Sequence, residues 1–185
     1  MKLGNTPDRY GAVSKAFHWL SALLVIGLIC VGLYMTNAEK TPAVFPLYGL
    51  HKSFGIVVLA LTLLRVLWHF ASKKPALAES MKKWEKMAAK AAHCFLYFAM
   101  FAMPLSGWMM SSAKGRSVKL FDKVPLPDLV EENVELGDRL AAFHEYLAWA
   151  LIAAIFLHAV AALKHHFVEK DVTLKRMLPF YKIKE

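Results

Sequence analysis

An apolar stretch near the end of the chain runs from His144 to His158 and reads HEYLAWALIAAIFLH. The two histidines that bound this stretch lie fourteen residues apart, which is two heptads. An α-helix rises about 21 Å over that distance and returns to nearly the same face. A helix built from this stretch therefore presents two imidazoles on one face, at depths separated by most of the thickness of a bilayer.

The composition of the whole chain favours a membrane protein. At 185 residues the length is typical of one domain, so we expect a single domain over residues 1–185. Hydrophobic residues make up 57% and the mean hydropathy is +0.39, which is too apolar for an ordinary soluble domain of this size. Four apolar stretches, approximately residues 14–35, 48–70, 88–110 and 140–167, are each long enough to cross a bilayer. The first is longer than the hydrophobic region of a typical signal peptide, so we expect a retained span. The sequence thus predicts an all-α fold, an integral membrane four-helix bundle.

The net charge of +9 follows the membrane topology rather than indicating nucleic-acid binding. In a chain that crosses four times, both termini and the connection between the second and third spans lie on one side. The loops 36–47 and 111–139 lie on the other side, and the second of them is rich in acidic residues. Because positive charge is retained inside, we expect both termini in the cytoplasm and anionic lipid headgroups as partners. The inner basic residues are Lys2, Arg9, Lys15, Lys73, Lys74, Lys82, Lys83, Lys86, Lys90, Lys164, Lys170, Lys175, Arg176, Lys182 and Lys184.

Two further histidines, His18 and His51, lie near the starts of the first and second spans. Since successive spans alternate in direction, His18 and His158 fall at a similar inner depth, and His51 and His144 at a similar outer depth. Imidazoles inside a membrane are costly and generally mark function. Axial imidazoles on one iron have ligating nitrogens about 4 Å apart, so residues about 21 Å apart on one helix must serve two irons. We therefore predict two stacked haems between the helices, with these two pairs as axial ligands.

Small residues and one arginine support this interpretation. Arg65 lies fourteen residues after His51, on the same helical face but at the inner depth. A haem propionate would give it an anionic partner, and the alternative is that it snorkels towards cytoplasmic headgroups. Each candidate ligand also has a small residue four positions later, where a porphyrin needs clearance, although small residues line membrane helix interfaces in general. These residues are Ala22, Gly55, Ala148 and Ala162.

The remaining histidines fall near the cytoplasmic ends of the spans, where amphipathic residues at headgroup level are the ordinary explanation. A second hypothesis is that they surround a quinone headgroup near the inner haem. The residues of this hypothetical quinone site are Arg65, Trp68, His69, His93, Lys164, His165 and His166. Cys30 and Cys94 lack the CxxCH motif, so any haem is expected to be non-covalent.

Several short segments, in a fixed order between residues 10 and 179, carry a family resemblance. They are SKAFHW ending at Trp19, LHKSFG around His51, HCFLY from His93, MPLSGW in the third span, HEYLA from His144, LHAVAALKHHF around His158, and DVTLKRMLP after it. The chain thereby resembles the prokaryotic cytochrome b561 family, four-helix di-haem cytochromes that include a bacterial superoxide oxidase. The resemblance implies two non-covalent b haems per chain, with ligands at His18, His51, His144 and His158. It further implies the bacterial inner membrane and electron transfer between an outer one-electron donor and membrane ubiquinone.

Three functions remain open at this point. The leading one is an oxidoreductase that takes electrons from superoxide and gives them to ubiquinone, with the anion approaching along Lys52 and the lysines of residues 111–123. The acidic run of residues 128–138 would oppose this approach unless it folds away from the outer haem. The second is an electron-transfer subunit for a partner dehydrogenase or hydrogenase. The third is a membrane transporter or assembly protein whose histidines bind metal ions, against which the matched depths and small residues argue.

Overall fold

Four long helices make up most of the chain. The computed structural model describes residues 3–73, 75–77 and 80–179. The helices are α1 (Ala12–Asn37), α2 (Phe45–Ala71), α3 (Lys83–Ala113) and α4 (Val134–Phe167). Each contains one of the predicted stretches and is long and apolar enough to cross a membrane, so the prediction of an all-α four-helix membrane protein is confirmed. Four of the basic residues assigned to the inner side, Lys2, Lys74, Lys182 and Lys184, lie outside the described residues.

The helices begin earlier than hydropathy alone suggests because polar residues form their first turns. The Asn133 side chain accepts a hydrogen bond of 3.0 Å from the backbone N–H of Leu136 and starts α4 six residues before the predicted span. At the start of α3, the carboxylate of Glu85 accepts the backbone N–H of Lys82 at 2.9 Å. An acidic residue in the first turn, as in both helices, is also favoured by the helix dipole.

The helices pack in chain order, α1 on α2, α2 on α3, and α3 on α4. Six buried apolar residues from all four helices form the centre of this packing. Within the described residues, α4 packs far more closely on α3 than on α1 or α2. The bundle is therefore least tightly closed between α4 and the first two helices, which carry the candidate ligands His18 and His51. The six central residues are Val25, Val58, Ala99, Met100, Leu147 and Leu151.

A short hairpin between α3 and α4 was not predicted from the sequence. Its strands, β1 (Lys119–Leu120) and β2 (Val124–Pro125), pair antiparallel. The turn residues Phe121 and Asp122 have φ values of 49° and 58°, the left-handed backbone that tight hairpin turns require. The buried Ser53 hydroxyl of α2 accepts the Phe121 N–H at 2.8 Å, so the hairpin is attached to α2 two residues from His51.

Candidate functional site

The inner pair of histidines comes together across the open side of the bundle. The ring centroids of His18 on α1 and His158 on α4 are 6.2 Å apart, with an angle of 59° between the planes. Two metal–nitrogen bonds of about 2 Å, added to the radii of two imidazole rings, place axial ligands at about this centroid separation. The separation of these two rings therefore fits a single iron between them.

Arg65 faces the bundle interior at this inner level. Its Nη2 lies 3.3 Å from Nδ1 of His18, and its guanidinium carbon lies 5.1 Å from the centroid of the Tyr97 ring. Arginine has only donors, so Nδ1 of His18 acts as the acceptor in this contact. Within the described residues, no carboxylate forms a salt bridge with Arg65. The guanidinium is therefore a cation inside the bundle that no described carboxylate neutralises, and such a cation favours an anionic partner.

The outer pair differs in how its rings are held. The Ser106 hydroxyl donates to the Met103 carbonyl at 2.9 Å, so its oxygen accepts the proton on Nδ1 of His144 at 3.0 Å. This bond fixes the tautomer and leaves a lone pair on Nε2, which is how metal-binding histidines are commonly prepared. His51 is close enough to His144 to interact with it electrostatically. Its Nδ1 is shielded from solvent and has no hydrogen-bond partner among the described residues.

Each outer imidazole rests against a glycine of the neighbouring helix. A Cβ atom at Gly32 of α1 would lie 3.3 Å from Cε1 of His51, and one at Gly107 of α3 would lie 3.2 Å from Cε1 of His144. Both distances are tighter than ordinary contacts, so any larger residue would push the ring. An orphaned ring nitrogen, a prepared lone pair and two glycine supports fit two imidazoles that are each free to bind a metal at the outer level.

Open space lies beside His51 at Gly55, the small residue four positions after it. A Cβ atom at Gly55, four residues after His51, would meet nothing within 4 Å. An apolar cavity of about 260 Å³ between α1 and α2 reaches His51, and its lining offers no polar group besides that residue. This cavity is lined by α1 and α2 alone, so it does not extend to His144 on α4.

The residues of the hypothetical quinone site separate into two groups according to their contacts. The first group adjoins the inner pair: the His93 ring centroid is 5.4 Å from that of His158, His69 lies 5.9 Å from Tyr97, and Trp68 donates to Ser14 at 2.9 Å. The second group, with Lys164 and His165, takes part in ion pairs with carboxylates at the ends of α3 and α4. The described contacts thus do not join all seven residues into one site, and a quinone site stays a hypothesis.

Sequence reasoning did not identify the residues that support the outer pair. Gly32, Ser106 and Gly107 carry no charge and occur in apolar helices, where small residues are common. Ser106 and Gly107 do lie within the MPLSGW segment that carries the family resemblance, which is the one signal that could have drawn attention to them. The sequence leaves His93 open between a headgroup-level residue and part of a quinone site near the inner haem, and the structure places its ring 5.4 Å from that of His158.

Comparisons with known proteins place these observations in a family. The family model described as prokaryotic cytochrome b561 matches residues 9–180. The chain is 38% identical to cytochrome b561 homolog 2 of Escherichia coli K12, over 96% of this chain and 95% of the relative. It is 30% identical to a probable superoxide oxidase, CybB, of Yersinia pestis, over 92% of this chain and 96% of the relative. It is 28% identical to cytochrome b561 homolog 1 of Escherichia coli K12, over 93% and 98% of the two chains.

Proposed function

This chain belongs to the prokaryotic cytochrome b561 family, and we propose that it oxidises superoxide outside the bacterial inner membrane and reduces ubiquinone at its inner side. Family membership implies a multi-pass membrane cytochrome that binds haem b and transfers electrons. The two-haem stoichiometry, the donor, the acceptor and the cytoplasmic termini belong to the proposal. Overall, two superoxide ions, one ubiquinone and two protons give two oxygen molecules and one ubiquinol, which balances atoms and charge.

The observation that carries the proposal is the 6.2 Å separation of the His18 and His158 rings. In the proposal, these two residues ligate the inner haem, and His51 and His144 ligate the outer one. A bound haem supplies a reversible one-electron centre, whose potential the protein sets through its ligands and surroundings. Because α4 contributes one ligand to each level, its two-heptad spacing holds the levels about 21 Å apart, close enough for electrons to cross the membrane in sequence.

Arg65 has a specific part in this scheme. When Nε2 of His18 binds a metal, Nδ1 carries the ring proton and can no longer accept from the guanidinium. The 3.3 Å contact between Arg65 and His18 and iron ligation at Nε2 therefore exclude one another. Metal ligation frees Arg65 for an anion, and we assign it a propionate of the inner haem as partner.

The charges around the outer pair support an anionic donor. Lys52, next to His51, donates from its ammonium to the Arg116 carbonyl at 3.1 Å and so lies where α2 meets the outer loop. The attached hairpin brings Lys119 and Lys123 to the same end of α2. Opposite charges near a reaction site raise the encounter rate with a small anion, and salt screens the effect. The name of the Yersinia pestis relative points to the same donor.

The acidic run that opposed this assignment is held mainly by the junction of α3 and α4. Asp138 pairs with Lys114 at 2.7 Å, and the Asp128 carboxylate accepts from Ser117 at 2.9 Å. Asp122 precedes this run, and its carboxylate lies against Gly49 near the start of α2, where the helix dipole favours it. Two carboxylates of the run are therefore bound to Lys114 and Ser117, which belong to the same stretch of residues 111–123 as the lysines of the proposed approach.

Superoxide-driven haem reduction in the purified protein tests the proposal. We expect rapid reduction that slows with added salt, followed by reoxidation when a short-chain ubiquinone is supplied. Lys52→Glu should slow reduction by superoxide by about threefold to tenfold, through the lost attraction, and should leave reduction by a neutral donor unchanged. Lys40→Glu, an equal charge reversal on the other outer loop, is the matched control.

One result would end the superoxide assignment. If superoxide reduces the wild type no faster than it reduces His51→Ala, the outer level does not receive electrons from this anion. The partner-subunit function would then replace it, since the helices and histidine levels would serve a protein donor equally well.

A further inference from the structure

A chain of bonded ionisable groups lies at the cytoplasmic ends of α3 and α4. The ammonium of Lys164 is 2.7 Å from a carboxylate oxygen of Glu85 and 2.7 Å from one of Glu169. Nδ1 of His165 is 2.7 Å from the other oxygen of Glu169 and 2.8 Å from Oδ2 of Asp171. Five titratable side chains are therefore linked in series, and we call this set the inner relay: Glu85, Lys164, Glu169, His165 and Asp171.

The inner relay connects solvent to a buried imidazole. At the edge of the relay that faces solvent, the exposed Ser80 hydroxyl donates to Oδ2 of Asp171 at 3.1 Å. His165, by contrast, is only 7% exposed. The Thr173 N–H donates to the other Asp171 oxygen at 2.8 Å and fixes the orientation of the carboxylate towards the ring. The Asp171 side chain is itself only 9% exposed, so a proton from water reaches it past the exposed Ser80 hydroxyl and is then one hydrogen bond away from the buried ring.

The ring is placed between more acceptors than it can satisfy. Nδ1 carries at most one proton, yet carboxylate oxygens of Glu169 and Asp171 both lie within hydrogen-bond distance of it. Oε2 of Glu169 is buried and has no hydrogen-bond partner of good geometry in the described chain. Burial alone would raise the pKa of Asp171, but the hydrogen bonds from Thr173 and His165 lower this pKa overall. Asp171 is therefore ionised at neutral pH and able to accept a proton.

The position of the inner relay matches a requirement of the proposed function. His165 follows His158 by seven residues, which is two helical turns, about 10.5 Å, on nearly the same face of α4. Ubiquinone that gains two electrons at the inner level must also gain two protons to become ubiquinol. These protons come from the cytoplasm, whereas the electrons come from the other side of the membrane.

We propose that Asp171, His165 and Glu169 carry protons from the cytoplasm to the quinone that is reduced at the inner level. The ring donates from Nδ1 to the ionised Asp171, so it accepts a proton there only in the tautomer that carries its proton on Nε2. In that tautomer, protonated Asp171 gives its proton to Nδ1 while the ring releases the Nε2 proton towards the quinone, and return of the ring to the Nε2 tautomer resets the relay. Glu169 offers the alternative acceptor, and Lys164 and Glu85 balance the charge. This inference rests on the acceptor half of the proposed function.

The simpler explanation is that the same contacts only fasten the end of α4 to α3. If the contacts are only structural, their loss should lower stability and haem retention. The rate of reoxidation in a variant that still binds haem should then not increase when a small proton donor is added. Asp171→Asn keeps the size of the side chain and an oxygen acceptor while removing the titratable group. Glu135→Gln is the matched control, because it removes a carboxylate from an exposed ion pair with Arg139 at the outer end of α4.

The experiment follows the haem spectrum through each half of the reaction in the purified, haem-loaded protein. In Asp171→Asn, we expect reduction by superoxide to match the wild type and reoxidation by a short-chain ubiquinone to be about tenfold slower or more. The deficit should grow as the pH rises, and added formate, a small proton donor, should restore the rate. Glu135→Gln should be reoxidised at the wild-type rate.

Inhibition by zinc ions tests the proposal on the wild-type protein, so the result does not depend on whether a variant folds. Imidazole and carboxylate are preferred zinc ligands, so Zn²⁺ should bind the His165 cluster, slow reoxidation of the wild type and leave its reduction unchanged. Wild-type rates of reoxidation that are insensitive to Zn²⁺, or an Asp171→Asn protein with normal reoxidation and pH profile, would overturn the inner relay alone. A wild type that ubiquinone cannot reoxidise at any pH would instead overturn the proposed acceptor.

Discussion

Replacing Gly107 with alanine should weaken the outer haem site selectively. The new Cβ would lie 3.2 Å from Cε1 and 3.5 Å from Nδ1 of His144, whereas ordinary contacts begin at 3.4 Å. The ring must then shift by a few tenths of an ångström, which disturbs its 3.0 Å bond to Ser106 and the direction of its free lone pair. Overpacking of this kind costs about 1–3 kcal/mol, equivalent to about fivefold to 150-fold in affinity.

Haem titration of the apo-protein, followed by redox potentiometry, measures this effect. The first equivalent of haem should bind Gly107→Ala as it binds the wild type, and the second should bind more weakly. The matched control is Gly27→Ala, because a Cβ at Gly27 meets nothing within 4 Å although the residue lines the cavity beside His51. Two haems bound with wild-type affinity and potentials in Gly107→Ala would show that the glycine does not set the ligand geometry.

Three further outcomes are expected. His144→Ala should lose the outer haem and keep the inner one, and His158→Ala should do the reverse, so a wild type that saturates at one haem by pyridine haemochrome assay contradicts the two-level scheme. Both irons should be low-spin and bind no carbon monoxide, because two imidazoles leave no open position; stoichiometric carbon monoxide binding to the reduced protein refutes this ligation. The folded-state pKa of Asp171 lies below its ordinary value of 3.8, so its contribution to stability is present above that value and is lost as the pH falls through the folded pKa. Thermal unfolding in acid should accordingly show a smaller pH dependence in Asp171→Asn than in the wild type.

The membrane-spanning part of the fold could be predicted because lipid permits few solutions. A helix must satisfy its own backbone inside the bilayer, so length and hydropathy locate spans reliably. They do not locate helix ends: α4 begins at Val134 and α3 at Lys83 because of side-chain hydrogen bonds in polar first turns. The hairpin escaped prediction for a related reason. Its two-residue strands are too short for a periodic pattern, and its turn uses Phe121 and Asp122 rather than the usual glycine.

The candidate site could likewise be predicted only in part from the sequence. His18 and His158 could be paired from depth alone, since an imidazole in a membrane is conspicuous and helical rise fixes its level. Hydropathy does not show how the helices pack side by side. It therefore does not show whether Arg65 reaches an anion or which residues support His144. Gly107 and Ser106 act through the absence of a side chain and through one hydroxyl. Such contributions are recognised only when the neighbouring helix is in place.

The packing of the helices explains why the ligands are distributed as they are. Lipid is as apolar as the helix surfaces, so membrane helices associate through close packing and specific bonds rather than through the hydrophobic effect. Among the described residues, α4 is packed closely only on α3, and α1 only on α2. The proposed ligand pairs cross this gap at two depths, from α1 to α4 through His18 and His158 and from α2 to α4 through His51 and His144. Metal ligation would therefore close the bundle where side-chain packing does not, and the free energy of haem binding would also be free energy of helix association.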